Sequence, residues 1–240
     1  MPDMTFLLVA GIAVMLGAVV QSSVGLGLGL VAAPVVSFLD PTLMPGAMLI
    51  ATAVLPVLTL ATEWRHIDWR GLGWAVPGRV PGAILGVWVV STLDPTMMRV
   101  AVGSMVLVAV VLSIRSVRVR VTPSSLFCAG ALSGLTGTAT SIGGPPMALL
   151  YQHEEAAKVR GTLAGFFLIG VVISLTLLAA GGQLDAHEIR GGAALIPFLG
   201  AGFLAGRPLR RVVDAGLMRA ALLVVVTASG LTLIGTSLLS

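Results

Sequence analysis

Long apolar runs separated by short polar joints organise this chain of 240 residues. Leu43–Thr62, Gly71–Leu93, Gly161–Leu184 and Leu217–Leu239 carry at most one charged residue each. Each approaches or exceeds the ~20 residues that a helix needs to cross a bilayer. No segment between them is long and polar enough to form a soluble domain. The pattern predicts an all-α fold, a polytopic helical bundle embedded in a membrane. Met1–Asp3 contains no Lys or Arg, unlike the positive start of a secretory signal, so the apolar run from Met4 reads as a retained first helix.

Two segments do not fit one straight crossing. Met4–Phe38 would extend ~52 Å as a helix, against a hydrocarbon core of ~30 Å. Its centre, Gln21-Ser22-Ser23-Val24-Gly25-Leu26-Gly27-Leu28-Gly29, is a poor continuous helix. Ser124–Gln152 repeats the problem and is interrupted by Thr136-Gly137-Thr138-Ala139-Thr140-Ser141-Ile142-Gly143-Gly144-Pro145-Pro146. Both are expected to run out and back, with the glycine-rich break inside the protein.

The chain also matches itself. At an offset of 120 residues (197 − 77), Pro77 aligns with Pro197, Gly82 with Gly202 and Gly86 with Gly206. Asp94 then matches Asp214, Met98-Arg99 matches Met218-Arg219, and Arg70-Gly71 matches Arg190-Gly191. Near the start of each half the offset falls to 112 (146 − 34), laying Pro34 over Pro146. The polar loop Tyr151–Arg160 absorbs the change. The ordered series predicts two transmembrane repeats, 1–120 and 121–240, forming one membrane domain.

Composition agrees with a membrane protein: 57% of residues are hydrophobic and 10% are charged, too little charge to cover a soluble domain. The 30 glycines and 13 prolines lie inside apolar runs, predicting kinked or interrupted helices. The formal charge of +4 comes from arginines and Lys158, placed at the ends of apolar stretches as topology signals rather than as a nucleic-acid patch.

Those charges discriminate between topologies. If each opening segment crosses once, the two sides carry nearly equal positive charge. If each runs out and back, Arg65, Arg70, Arg115, Arg118, Arg120, Lys158, Arg160, Arg207, Arg210, Arg211 and Arg219 share one side and only Arg99 and Arg190 face the other. The positive-inside rule favours the second arrangement. An opening hairpin plus three crossings reverses side, so the halves form an inverted-topology repeat with both termini outside, a plan common among secondary transporters.

Unwound backbone in a bilayer costs several kcal/mol unless something satisfies it. The two breaks are therefore the expected substrate site. Glycines Gly25, Gly27, Gly29, Gly143 and Gly144 let backbone approach a ligand, while Pro34, Pro145 and Pro146 mark the helix breaks. Half-helix N-termini favour an anion, and Gln21, Ser22, Ser23, Thr138, Thr140 and Ser141 add neutral hydrogen-bonding groups. Close helix packing and local backbone bonding explain the same residues without a ligand. Arg79 lies mid-segment between Pro77 and Pro81. A central charge costs ~2.5–3.5 kcal/mol on insertion scales, so it should face a cavity, as a countercharge to an anion, or bond carbonyls freed by the prolines.

Glu63, Asp68, Asp185 and Glu188 read as solvated loop ends, with a proton pathway as the alternative. His66, His153 and His187 are scattered without metal-site spacing, and Cys128 is alone, so neither metal nor cofactor is expected. No Ser/His/Asp set supports hydrolysis.

Gly25-Leu26-Gly27-Leu28-Gly29 with Pro34, and Gly143-Gly144-Pro145-Pro146 after Gly137, resemble the motifs of the TauE/SafE family of membrane transporters. The resemblance spans essentially the whole chain. The first motif departs from that family's usual consecutive glycines, having alternate leucines. The resemblance implies movement of small sulfur-containing anions: sulfite, sulfoacetate or another organosulfonate.

These readings converge on a secondary transporter in the bacterial inner membrane, working outward by alternating access, with protons as a candidate coupling ion. A carboxylate or other small-anion carrier, a channel, and a non-transporting scaffold are the alternatives.

Overall fold

The computed structural model describes residues 4–114, 119–209, 227–228 and 230–235. Among these residues nine main helices follow in order: α1 Met4–Val24, α2 Leu28–Leu39, α3 Gly46–Glu63, α4 Trp69–Thr92, α5 Pro95–Ile114, α6 Pro123–Thr140, α7 Gly144–Tyr151, α8 Ala156–Ala180 and α9 Ala186–Leu209. Single 3-10 turns at Pro41–Leu43 and Trp64–His66 flank α3, and no strand occurs among the described residues. Five helices among these residues are long and apolar enough to cross a membrane: α1, α3 with its following turn, α4, α8 and α9. Most of the expected span Leu217–Leu239, with Asp214, Arg115, Arg118, Arg210 and Arg211, lies outside the described residues. Residues 230–235 are helical and pack on α5, with Gly103 against Ile234.

Each opening segment is a long helix, a break and a short returning helix. In the first, Gly25 and Gly27 adopt φ values of 95° and 140°, a region that L side chains rarely enter. The chain reverses there, bringing Leu28 back beside Gly17. In the second, Ser141 at φ 61° ends α6 and donates its N–H to the Gly137 carbonyl at 3.0 Å. Gly143 then folds back against Ser133. The returning limbs are half-crossings. At ~1.5 Å per residue, the 12 residues of α2 span ~18 Å and the eight of α7 ~12 Å. Pro34 does not mark the first break; it lies inside α2, beyond the glycines whose dihedrals turn the chain. Pro145 and Pro146 do sit in the first turn of α7, where proline's missing N–H is tolerated.

Helix directions follow from the contacts. Gly11 meets Phe198, Gly202 meets Met15 and Gly206 meets Ser22, so α1 and α9 run the same way. Gly46 and Ala47 meet Glu188 and Gly191–Gly192, so α3 begins at the same end as α9. Gly78, Gly82 and Gly86 pack successively on Phe127, Ala131 and Leu135, making α4 parallel to α6. Gly161 lies on Glu63 and His66, which places the start of α8 beside the end of α3. Thus α1, α3 and α9 start at one end of the bundle, and α4, α6 and α8 start at the other. Arg65, Arg70, Arg120, Lys158 and Arg160 cluster at the second end, while Arg99 and Arg190 lie at the first.

The glycine pairs that align in the sequence do equivalent work. Gly82 and Gly86 let α4 approach the backbone of α6, and Gly202 and Gly206 let α9 approach α1. Small residues bring helices together where no water drives them. The core between is apolar, from Val14, Ala18 and Leu28 through Met48 and Leu55 to Leu195, Leu199 and Phe203. Trp64, Trp69 and Trp88, near the helix ends, stay exposed, as aromatic residues do at a membrane interface.

Two of the four carboxylates expected at solvated loop ends are buried. Glu63 is 7% exposed and Glu188 4%. The reason is that helix ends here butt against other helices. Glu188 accepts the Gly46 N–H at 2.8 Å and the Asp185 N–H at 3.2 Å. Glu63 takes the Arg160 guanidinium at 2.7 and 3.0 Å. Asp68 caps α4 through the Gly71 N–H and also accepts the Tyr151 hydroxyl at 3.0 Å.

A candidate anion cavity between the two breaks

The breaks meet. Gly29, in the first turn of α2, abuts the Ser141 carbonyl so closely that a Cβ would stand 2.7 Å from the oxygen. Gly144, opening α7, faces Leu26 and Phe167. Between them lies a cavity of about 60 Å³, large enough for several waters or a small polyatomic ion. Its walls come from both breaks and from the middle of three long helices: Leu49, Thr52 and Pro56 of α3, Arg79 of α4, and Phe167 and Val171 of α8.

Arg79 is 2% exposed. One terminal nitrogen donates to Ser133 Oγ at 3.1 Å, and the guanidinium carbon lies 4.8 Å from the centre of the Phe166 ring. Its Nε has no hydrogen-bond partner. No carboxylate among the described residues pairs with it. The prolines flanking it, Pro77 and Pro81, both lie inside an unbroken α4. A cation over an aromatic face gains ~2 kcal/mol when desolvated, less than the cost of its burial. The guanidinium is therefore a candidate countercharge for an anion.

Backbone donors supplement the arginine unequally. Of the first N–H groups of α2, that of Leu28 is capped by Gln21 Oε1 at 3.0 Å. Those of Gly29 and Leu30 have no acceptor among the described residues, and both residues line the cavity. The start of α7 offers less, because Pro145 and Pro146 carry no N–H. Ser133 Oγ, held by Arg79, donates in turn to the Gly143 carbonyl, tying the arginine to the second break.

Eight of the sequence-derived site residues border the cavity: Gln21, Gly27, Gly29, Arg79, Ser141, Gly143, Gly144 and Pro145. The others are engaged elsewhere. Ser22 and Ser23 donate to the Val19 carbonyl at 2.8 and 3.1 Å, and Thr140 to the Thr136 carbonyl at 2.8 Å. Thr138 pairs with Ser174 at 2.7 Å. Gly25 packs against Arg160, and Pro34 is buried in α2. Sequence reasoning missed Thr52, Gly137, Ser133, Phe166 and Gly170. For Gly137 the signal was present in the second break; for the others nothing in the local sequence separates them from ordinary helix residues. Among the described residues no cluster of three or more His, Cys, Asp or Glu could hold a metal.

An apolar helical bundle whose paired broken segments border a buried arginine, with no carboxylate partner among the described residues, defines a class: a polytopic membrane protein with a polar site at mid-depth. Residues 9–233 match the family model described as sulfite exporter TauE/SafE. The chain belongs to that family, whose members are membrane transporters rather than enzymes. It is 28% identical over 180 residues to the probable inner membrane transporter protein TsaS of Comamonas testosteroni, covering 71% of this chain and 74% of that protein. It is 27% identical over 206 residues to the probable sulfite/organosulfonate exporter TauE of Cupriavidus necator, covering 80% and 79%. No solved structure matches the chain.

Proposed function

We propose that the protein is a secondary transporter that moves a small sulfur-containing anion, namely sulfite, sulfoacetate or another organosulfonate, outward across the bacterial inner membrane. The single observation that carries this reading is Arg79: a buried cation facing a cavity, without a carboxylate partner among the described residues. Its guanidinium and the N–H groups of Gly29 and Leu30 are the proposed ligands, with Gln21, Thr52 and Ser141 as neutral neighbours. The family's description and the name of the Cupriavidus necator relative supply the sulfur chemistry, and the positive side chain supplies the sign.

The proposed mechanism is alternating access between halves 1–120 and 121–240, read as an inverted-topology repeat with both termini outside. Support comes from α1, α3 and α9 starting opposite α6, α8 and α4, and from the reciprocal packing of α4 on α6 and α9 on α1. The predominance of Lys and Arg at one end favours that end as the cytoplasmic one. Exchange of the two conformations would expose the cavity to each side in turn. Protons are the proposed coupling ion.

Flux in proteoliposomes tests this with sulfite, sulfoacetate and acetate. At least one of the two sulfur anions should move, and Arg79→Ala should abolish that flux while the protein still inserts. Acetate alone moving would make it a carboxylate carrier. Flux without saturation would make it a channel. No flux from intact protein would leave a scaffold.

A further inference from the structure

We propose that the cavity selects by charge number, taking anions with one negative charge and rejecting doubly charged anions of the same shape. This rests on the cavity being the substrate site and adds which ionic form enters it. Among the described residues lining it, Arg79 is the only charged side chain. The other polar side chains there, Gln21, Thr52 and Ser141, are neutral. The N-terminus of α2 adds at most about half a positive charge, and the prolines of α7 strip the second break of two donors.

One negative charge on the ligand is therefore neutralised, and a second finds no counterpart. The remaining wall is aliphatic or aromatic: Leu49, Ile142, Phe167 and Val171. An uncompensated charge against such a surface is strongly disfavoured. A ligand able to take up a proton enters in its protonated form, so sulfite would be carried as hydrogensulfite. Among sulfonates, those lacking a second acidic group fit, and sulfoacetate with its added carboxylate fits poorly. The apolar wall matches a methyl or short alkyl substituent on sulfur better than a fourth oxygen.

Methanesulfonate and sulfate are nearly isosteric and differ by one charge, so they isolate the variable. In proteoliposomes holding the full chain, methanesulfonate flux should exceed sulfate flux by at least ~10-fold, about 1.4 kcal/mol. The ratio of sulfite to methanesulfonate flux should fall as the pH rises through the second ionisation of sulfite, because methanesulfonate has no proton to lose. Thr52→Lys adds a second positive charge to the wall and should raise the sulfate-to-methanesulfonate ratio. Comparable sulfate and methanesulfonate flux in the parent protein would overturn charge selection while leaving anion transport standing. No flux of any anion from reconstituted, folded protein would overturn both.

Discussion

Gly170 of α8 lies against the guanidinium of Arg79, and a Cβ at that position would intrude on its Nε and Cζ. Phe166, one turn earlier on the same helix, presents its ring to the same guanidinium. Residues four apart share a helix face, so α8 provides both the aromatic bed and the vacant space in which the arginine rests. Two helices more than eighty residues apart in sequence thus build one cationic group into the cavity wall.

Gly170→Ala should displace that group. Alanine is the better helix former by about 1 kcal/mol, so α8 itself should not suffer. The expected outcome is a fall in anion flux of at least ~10-fold, with insertion and helix content unchanged by circular dichroism. Flux equal to the parent's would mean that this contact does not set the position of the guanidinium.

Gln21 offers a sharper electrostatic test. Its Oε1 caps the Leu28 N–H, and a carboxylate oxygen can accept the same bond. Gln21→Glu should therefore preserve the break while placing a negative charge beside Arg79 and cancelling the attraction for an anion. Transport should be lost with thermal stability within about 1 kcal/mol of the parent. Gln21→Ala should show the reverse balance, costing about 1 kcal/mol by losing the cap and retaining part of the flux. Unimpaired flux in the glutamate variant would remove Gln21 from the cavity's electrostatics.

Glu63 and Arg160 join the end of α3 to the start of α8 through an ion pair with little exposure on either side. His66 approaches the other Glu63 oxygen at 3.5 Å. Removing either member leaves a charge poorly compensated, whereas removing both does not. Arg160→Met and Glu63→Gln should each destabilise the protein, and the double variant should cost less than their sum, with a coupling of about 1–3 kcal/mol. Unfolding in detergent measures it. Strict additivity would show that the pair contributes only packing.

Much of the architecture was legible in the residue pattern. The spans expected at Leu43–Thr62 and Gly71–Leu93 correspond to helices Gly46–Glu63 and Trp69–Thr92, because hydropathy and bilayer thickness fix length. The breaks fall among Gly25–Gly27 and Ser141–Gly143, because positive φ in an apolar segment needs glycine or a helix-ending residue. Arg79 was conspicuous because a mid-span charge has few explanations. Less visible was the shortness of the returning limbs. Asp40 ends the apolar stretch after Leu39, but the limb's length depends on where within the glycine run the chain reverses, which hydropathy does not register.

The residue order by itself determined which segments are helical, where they are interrupted, and that one buried cation needs company. Those are properties of single residues and their immediate neighbours: side-chain transfer energy, allowed φ, and the cost of isolated charge. Only the tertiary structure decided that Ser22, Ser23 and Thr140 return their hydroxyls to their own helices, while Ser133, Phe166 and Gly170 surround Arg79. A helix turns about 100° per residue, so which of its polar groups faces the cavity depends on its rotation against its neighbours. That rotation is set by glycine contacts between distant segments, such as Gly134 on Arg79 and Gly202 on Met15.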